Sequence, residues 1–149
     1  MLNLYDPSSY AYVGHGRIVP IEIDSMYSYA NVRVAVPGRP PARAKLVIDT
    51  GAGPLSLTKQ FARAHGILPS ADKLIPGAEC GSAGRASDPT LVGNVGHLQI
   101  GGFTIPNVQT AFYQATADRP YDGLLGSNIL RRFKVIFDYS RRRMILEQR

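Results

Sequence analysis

The stretch Leu46-Val47-Ile48-Asp49-Thr50-Gly51-Ala52 restricts the fold and chemistry of this chain more than any other. Its first three residues are apolar and follow Ala44 and Lys45, which predicts a strand buried on both faces. A carboxylate directly after such a strand is costly to bury unless it is paired or hydrogen-bonded. Gly51 has no side chain, so the backbone can approach a neighbouring segment closely there. These local features leave two interpretations of Asp49, as the cap of a turn or as a functional group.

A strand followed by Gly51-Ala52-Gly53 and a helix also has the outline of a dinucleotide-binding turn. Ser56 stands at the third glycine position of that pattern, and Pro54 interrupts the helix start that would face the phosphates. The acidic strand end expected about 20 residues later is replaced by a Pro- and Gly-containing stretch, Ile67–Cys80. A nucleotide site is therefore disfavoured.

The composition fits one small globular domain. The chain has 149 residues and a mass of 16.2 kDa, and 15 glycines with 11 prolines favour many short strands and turns over a helical bundle. Lys and Arg outnumber Asp and Glu by 17 to 11, a net charge of +6. The dense basic group, Arg141–Arg143, has no interleaved aromatic residues, which disfavours nucleic-acid binding.

Several other classes are disfavoured by what the chain contains. One cysteine, Cys80, excludes an internal disulfide and a cysteine-rich zinc site, and His15, His65 and His97 show no ligand spacing. We therefore predict neither a metal nor a cofactor. No apolar run reaches the roughly 18 residues of a membrane span, and residues 1–13 show no export signal. The sequence as given predicts a cytoplasmic protein without membrane contact; a removed signal or anchor would make it exported or periplasmic.

Hydrophobic periodicity predicts an irregular lead-in over residues 1–16 and a single domain over 17–149. Residues 68–90 are expected to be loop, and Pro20 places the first strand at a sheet edge. Two helices are expected, Leu57–His65 with Ser56 or Thr58 as N-cap, and Asn128–Phe133 capped by Ser127. The expected strands are Ile18–Ile23, Val32–Val36, Ala44–Asp49, Leu91–Ile100, Phe103–Tyr113, Val135–Asp138 and Met144–Glu147.

Two motifs in this order resemble the retropepsin-like aspartic proteases. The stretch 46–52 is similar to their active-site motif, and Tyr121-Asp-Gly-Leu-Leu-Gly-Ser-Asn-Ile-Leu130 is similar to their second signature. Residues 131–139 and the closing hairpin resemble microbial single-domain members. The resemblance extends from about Ile18 to Glu147. It implies an all-β fold, mostly strands with two short helices, that closes into a small barrel with one lobe per chain.

The resemblance also implies roles for individual residues. Asp49 would be the catalytic aspartate, and Thr50 would clasp the equivalent loop of a partner subunit. The glycine-rich stretch from Gly77 to Gly96 would be a mobile flap over the substrate. The residues expected to support the catalytic loop are Thr50, Gly51, Ala52, Leu124, Leu125 and Gly126, and those expected at the flap tip are Gly81, Ser82, Ala83 and Gly84.

Peptide hydrolysis by this route needs two carboxylates about 3 Å apart that share one proton. The chain has one Asp-Thr-Gly, and Asp122 is followed by Gly123-Leu124, which predicts a structural role for Asp122. Two copies related by a twofold axis would bring Asp49 against Asp49. We therefore expect an aspartic endopeptidase that works as a homodimer on a polypeptide substrate. The alternative is a binding or dimerisation module with the same fold and little or no activity.

Ala52 bears on the working pH. Pepsin-like relatives often carry a hydroxyl at this position, and its hydrogen bond favours the ionised carboxylate. Without that hydroxyl, we expect a less acidic working range than that of pepsin.

Overall fold

The computed structural model describes residues 2–67, 75–80, 88–115 and 118–149, which form ten strands, two short α-helices and one 3-10 turn. The strands are β1 (Arg17–Ile23), β2 (Ser28–Val36), β3 (Arg39–Ile48), β4 (Leu55–Leu57), β5 (Ile75–Cys80), β6 (Asp88–Ile100), β7 (Phe103–Tyr113), β8 (Gly123–Leu125), β9 (Phe133–Asp138) and β10 (Arg143–Gln148). The helices are α1 (Lys59–His65) and α2 (Ser127–Leu130), and the 3-10 turn is Tyr139–Arg141.

The sheet closes on itself through a pairing between β2 and β6. Its strands follow the order β5-β6-β7-β4-β8-β3-β2-β1-β10-β9. Arg33 of β2 pairs with Gln99 of β6, and Val34 pairs with Leu98, both antiparallel. This contact joins β6, β7, β4, β8, β3 and β2 into a ring. The predicted all-β fold, a closed barrel with two short helices, is confirmed.

The barrel interior is filled by alternate residues of the paired strands. In β2, Ala30, Val32 and Val34 are buried, and the residues between them are not fully buried. Ala30 lies opposite Leu46 of β3 and Val32 lies opposite Ala44, so one face of this hairpin is continuous core. Burying each large aliphatic side chain stabilises the fold by about 1.5–3 kcal/mol.

Helix α1 follows the predicted capping pattern, but begins two residues later than expected because Leu57 ends β4. The Thr58 hydroxyl accepts a hydrogen bond from the Phe61 amide at 3.2 Å, so Thr58 and not Ser56 is the N-cap. Gly66 ends the helix in the left-handed region, with φ 63°. Phe61 is buried and attaches the helix to the core.

The expected loop over residues 68–90 is wrong where the structure describes it. Ile75–Cys80 forms β5, and β6 already begins at Asp88. Glycine and proline in this stretch favoured a loop, but β5 lies at the edge of the sheet, where a strand tolerates proline. Pro76 pairs in register with Leu91 of β6.

Helix α2 is shorter than predicted and is capped differently. It ends at Leu130, because Phe133 already pairs with Gln148 at the start of β9. Gly126 is its N-cap, and no side chain caps it. The prediction that Ser127 is the cap is therefore wrong: its hydroxyl donates a hydrogen bond to the Gly53 carbonyl instead, at 3.3 Å.

Strand β1 lies inside the sheet order and not at its edge, so the edge prediction from Pro20 is wrong for the strand as a whole. Its residues 17–20 pair with β10, whereas residues 21–23 pair with β2. Pro20 is the last residue of β1 that pairs with β10, and the pairing with β2 begins at Ile21. The missing amide hydrogen of proline is therefore not needed for the pairing with β2. Neither helix is long or apolar enough to cross a membrane within the ranges described above.

Candidate active site

Asp49 lies at the carboxyl end of β3, beside the parallel strand β8. Val47 pairs with Leu124 and Ile48 pairs with Leu125. The Asp49 amide continues this ladder by donating to the Leu125 carbonyl at 3.2 Å. The position of Asp49 is thus set by a central pair of strands that are distant in sequence.

The Asp49 carboxylate is held by its own turn. Its Oδ1 accepts hydrogen bonds from the amides of Gly51, at 2.9 Å, and Ala52, at 3.1 Å. The Ala52 amide also approaches the Asp49 carbonyl, at 3.3 Å. Within the described ranges, Oδ2 accepts no hydrogen bond, and the side chain is only half buried. One oxygen is therefore oriented by the backbone, and the other is open to a further group.

Helix α2 supports this turn from the other side. The Ser127 amide donates to the Ala52 carbonyl at 2.8 Å, and the Asn128 amide donates to the Gly53 carbonyl at 2.9 Å. Amides at a helix start lack partners within the helix, so the turn carbonyls satisfy them. Turn and helix form one hydrogen-bonded unit.

Two glycines make this close approach possible. A Cβ on Gly126 would lie 2.2 Å from the Pro54 carbonyl oxygen, and one on Gly123 would lie 1.9 Å from the Ser56 carbonyl oxygen. Sequence reasoning singled out Gly126 and missed Gly123, although Gly123 stands in the same motif. A side chain at Gly126 would push the start of α2 away from the turn, and one at Gly123 would push β8 away from β4.

The structure brings the predicted turn and its predicted support together. Leu125 is fully buried behind Asp49, whereas Leu124 is half buried, and Thr50 and Gly51 are exposed. The predicted site residues that lie together are Asp49, Thr50, Gly51, Ala52, Leu124, Leu125 and Gly126. The predicted flap-tip residues Gly81, Ser82, Ala83 and Gly84 lie outside the described residues.

The carboxylate of Asp122, in the second signature motif, is hydrogen-bonded to the backbone of β3. Asp122 Oδ2 accepts a hydrogen bond from the Lys45 amide at 2.8 Å, and the Asp122 amide donates to the Lys45 carbonyl at 2.8 Å. The Asp122 carbonyl accepts from the Thr58 amide, also at 2.8 Å. These bonds place Asp122 as a brace between β3 and α1.

An aromatic cluster that sequence reasoning missed lies near the turn. Tyr29 pairs with Val47, two residues before Asp49, so both lie on the Asp49 face of β3. Tyr27 contacts the rings of Tyr29 and Tyr121 edge-on, with centroids 6.2 and 6.1 Å apart. Tyr121 is far from Tyr27 and Tyr29 in sequence, so only the fold shows that the three tyrosines meet.

Cations and a carboxylate fix this cluster. The Tyr29 hydroxyl donates to Asp24 at 2.5 Å, and this bond together with burial raises the pKa of Tyr29 to about 12. Lys45 Nζ lies 4.4 Å from the centre of the Tyr29 ring, and Arg119 donates to the Tyr121 hydroxyl at 2.7 Å. The cluster is therefore held together by hydrogen bonds and a cation–π contact.

Strands β5 and β6 pair antiparallel at the edge of the sheet. Ile75 pairs with Val92 and Gly77 pairs with Thr90, while the other edge of β6 is bonded to β7. No three His, Cys, Asp or Glu side chains gather as metal ligands in the described part of the chain.

Comparison with solved structures places this geometry in a known fold. A retropepsin-like aspartic protease from Rickettsia conorii is similar at 24% identity, with 89% of each chain covered and a TM-score of 0.63. The EIAV protease complexed with the inhibitor HBY-793 is similar at 18% identity, over 72% of this chain and 88% of that one, with a TM-score of 0.52. The retroviral protease-like domain of Ddi1 from Leishmania major is similar at 15% identity, over 83% and 90%, with a TM-score of 0.53.

Sequence comparison assigns the family. No curated protein sequence matches the chain. The sequence model of the aspartyl proteases matches residues 30–129, which include β3, the Asp49 turn, β8 and most of α2. The chain therefore belongs to the aspartyl protease family.

Proposed function

We propose that the chain is an aspartic endopeptidase whose active centre is formed by the Asp49 carboxylates of two copies. The observation that carries the proposal is the geometry of the Asp49 side chain. Backbone amides hold its Oδ1, whereas its Oδ2 is open within the described residues. A carboxylate that is oriented but not neutralised by the fold is suited to proton transfer.

In this mechanism the two carboxylates share one proton and titrate as a unit. The ionised carboxylate takes a proton from a bound water, whose oxygen attacks the peptide carbonyl carbon. The protonated carboxylate gives its proton to the carbonyl oxygen, which forms a neutral gem-diol. The diol then collapses: one of its hydroxyls gives its proton to the ionised carboxylate as the C=O bond re-forms, the C–N bond breaks, and the leaving nitrogen receives the proton of the other carboxylate. The carboxylates end in their starting protonation state.

The requirement for a second copy follows from the carboxylates of one chain. Asp122 accepts a hydrogen bond from the Lys45 amide, so among the described residues of one chain Asp49 is the carboxylate left for this site. A twofold axis beside the Asp49 turn would supply the second carboxylate without new sequence. Thr50 is exposed, and its hydroxyl makes no hydrogen bond among the described residues. It is therefore available to donate to the equivalent loop of the partner subunit.

The β5–β6 hairpin is proposed as the flap that covers the substrate, with its tip at Gly81-Ser82-Ala83-Gly84. Its position at the edge of the sheet, next to β7, supports this role because no strand of the described residues pairs with the other side of β5. Closure of such a hairpin would exclude water from the peptide bond.

The test is the rate at which an unfolded, reduced and alkylated polypeptide is cleaved. We expect Asp49→Asn to lose at least about 100-fold in kcat/KM, since acid-base groups contribute that much or more. Asp122→Asn is the matched control, because its amide oxygen can still accept from Lys45, and it should retain activity. Activity that survives Asp49→Asn would refute the proposal. A wild-type chain that dimerises and binds the polypeptide without cleaving it would favour the alternative of a binding module.

A further inference from the structure

We propose that a pocket beside the Asp49 turn binds an acidic side chain of the substrate, at a position several residues from the cleaved bond. The inference rests on the proposed function and adds a substrate preference to it. The pocket, called here the Arg131 pocket, has a volume of about 370 Å³ and is lined by residues of the turn, of α2 and of the β6–β7 sheet.

The walls of the Arg131 pocket are continuous with the proposed catalytic loop. Gly53 and Pro54 line the pocket, and the Gly53 carbonyl accepts a hydrogen bond from the amide of Asn128, another lining residue. Thr90 and Val92, which pair with β5, also line the pocket. A peptide lying between the turn and the β5–β6 hairpin would therefore pass the mouth of the pocket.

Charge and polarity define the side chain that fits. Arg131 is exposed and, among the described residues that line the pocket, is the charged one. It forms no ion pair or hydrogen bond through its side chain with the described residues. Val92, Ala111 and Pro54 give the pocket an apolar lining suited to a methylene stem. An apolar stem with an anionic tip is the chemistry of a glutamate side chain.

The chain length between Asp49 and the pocket limits how far the acidic side chain of the substrate can lie from the cleaved bond. Gly53 is four residues after Asp49, a span of at most about 14 Å. An extended peptide advances about 3.3 Å per residue, so the acidic side chain would stand no more than about four residues from the cleaved bond. In a twofold dimer the preference would occur on both sides of that bond.

The experiment compares peptide pairs that differ only by Glu or Gln, scanned over the positions two to five residues from the cleaved bond. We expect kcat/KM for wild type to favour Glu by about threefold to fivefold at low salt at one position, because exposed ion pairs are worth this much. The preference should disappear at high salt. Arg131→Gln should reduce the Glu-to-Gln ratio to about one, and Arg131→Glu should reverse it.

The neighbouring Arg132→Gln variant is the matched control, since Arg132 carries the same charge but does not line the pocket. It should keep the wild-type ratio. Since each ratio compares two peptides with one variant, partial unfolding cannot mimic the effect. A wild-type ratio near one at every position, or a preference that persists in Arg131→Gln, would overturn the inference.

A binding measurement separates this inference from the proposed function. Fluorescently labelled Glu and Gln peptides are titrated against Asp49→Asn and against Asp49→Asn combined with Arg131→Gln. Tighter binding of the Glu peptide that depends on Arg131 would uphold the pocket even if the wild type cleaves nothing. Equal binding of both peptides to Asp49→Asn would reject the pocket while leaving cleavage by wild type unaffected.

Discussion

At the scale of single residues, the Asp49 turn depends on two positions where the backbone leaves no room. The nearest backbone atom would lie 2.2 Å from a Cβ on Gly126 and 1.9 Å from one on Gly123. Carbonyl groups cannot move away as a flexible side chain can, so the strain must be relieved by separating α2 or β8 from the turn. The two glycines that allow the turn to position Asp49 are therefore also needed for the stability of the domain.

We expect Gly126→Ala to lower the free energy of unfolding by about 1–3 kcal/mol or more and to reduce cleavage further than the loss of folded protein explains. Urea unfolding measures the first effect, and kcat at a temperature where the variant is folded measures the second. Gly96→Ala is the control, since its Cβ would meet only the Ala35 side chain, at 3.6 Å. Equal stability of the two variants would show that the turn tolerates a side chain.

Replacement of Ser56 is expected to stabilise the protein, in contrast to Gly126→Ala. It is 1% exposed in β4, and its hydroxyl has no hydrogen-bond partner in the described structure. A buried unpaired hydroxyl costs roughly 1–3 kcal/mol. We therefore expect Ser56→Ala to raise the melting temperature, as measured by calorimetry. A lower melting temperature would mean that the hydroxyl has a partner.

The sequence allowed some of these residue roles to be predicted and not others. Asp49 was predicted as the catalytic aspartate from the family resemblance, because its local features alone left the role of a turn cap open. Ser127 was predicted as a cap, but its hydroxyl bonds to Gly53, a contact between residues that are distant in sequence. Tyr27 and Tyr121 meet for the same kind of reason. Local sequence shows which contacts a side chain could make, but which of them it makes depends on residues that the fold brings near it.

At the scale of elements, the turn between β9 and β10 is held by a single carboxylate. Asp138 accepts hydrogen bonds from the Ser140 hydroxyl at 2.7 Å, from Arg143 at 2.8 Å and from the Arg141 side chain at 3.2 Å. Burial alone would raise the pKa of Asp138, but these bonds outweigh it and lower the pKa to about 2. The dense basic group at 141–143 is therefore partly structural.

This shift predicts how stability depends on pH. The pKa of Asp138 is lower in the folded state than its ordinary value of 3.8. The ionised carboxylate therefore stabilises the folded state fully above pH 3.8, and this stabilisation is lost as pH falls through about 2. We expect Asp138→Asn to be less stable than wild type at pH 6, with the difference shrinking as pH falls from about 4 towards 2. Urea midpoints measured across this range check the prediction. A difference that stays constant with pH would assign the effect to packing instead of charge.

Elements that are formed by local pairing were predicted better than those fixed by distant partners. The hairpin β2–β3 and helix α1 follow from alternation and capping residues in adjacent sequence. The three-residue strands β4 and β8 were missed, because three residues show no period. Strand β5 was missed because its glycine and proline are typical of loops, although an edge strand tolerates them.

At the scale of the whole molecule, the fold is closed by contacts that no local pattern encodes. The parallel pairing of β3 with β8 joins residues 46–48 to residues 123–125, and the pairing of β2 with β6 completes the barrel. The resemblance to a family predicted this closure, whereas periodicity alone predicted only strands. The structure of one chain presents one Asp49 carboxylate, so the account requires a second chain.

The most direct test of that requirement is a mixing experiment. A fixed amount of wild type is unfolded together with an equal amount of Asp49→Asn, refolded to allow random pairing, and assayed for cleavage of the alkylated polypeptide. If each site needs the Asp49 carboxylates of two chains, half of the wild-type chains pair with inactive partners and activity falls to about half. Activity that remains equal to that of wild type refolded alone would show that a single chain carries the whole site, and would contradict the account.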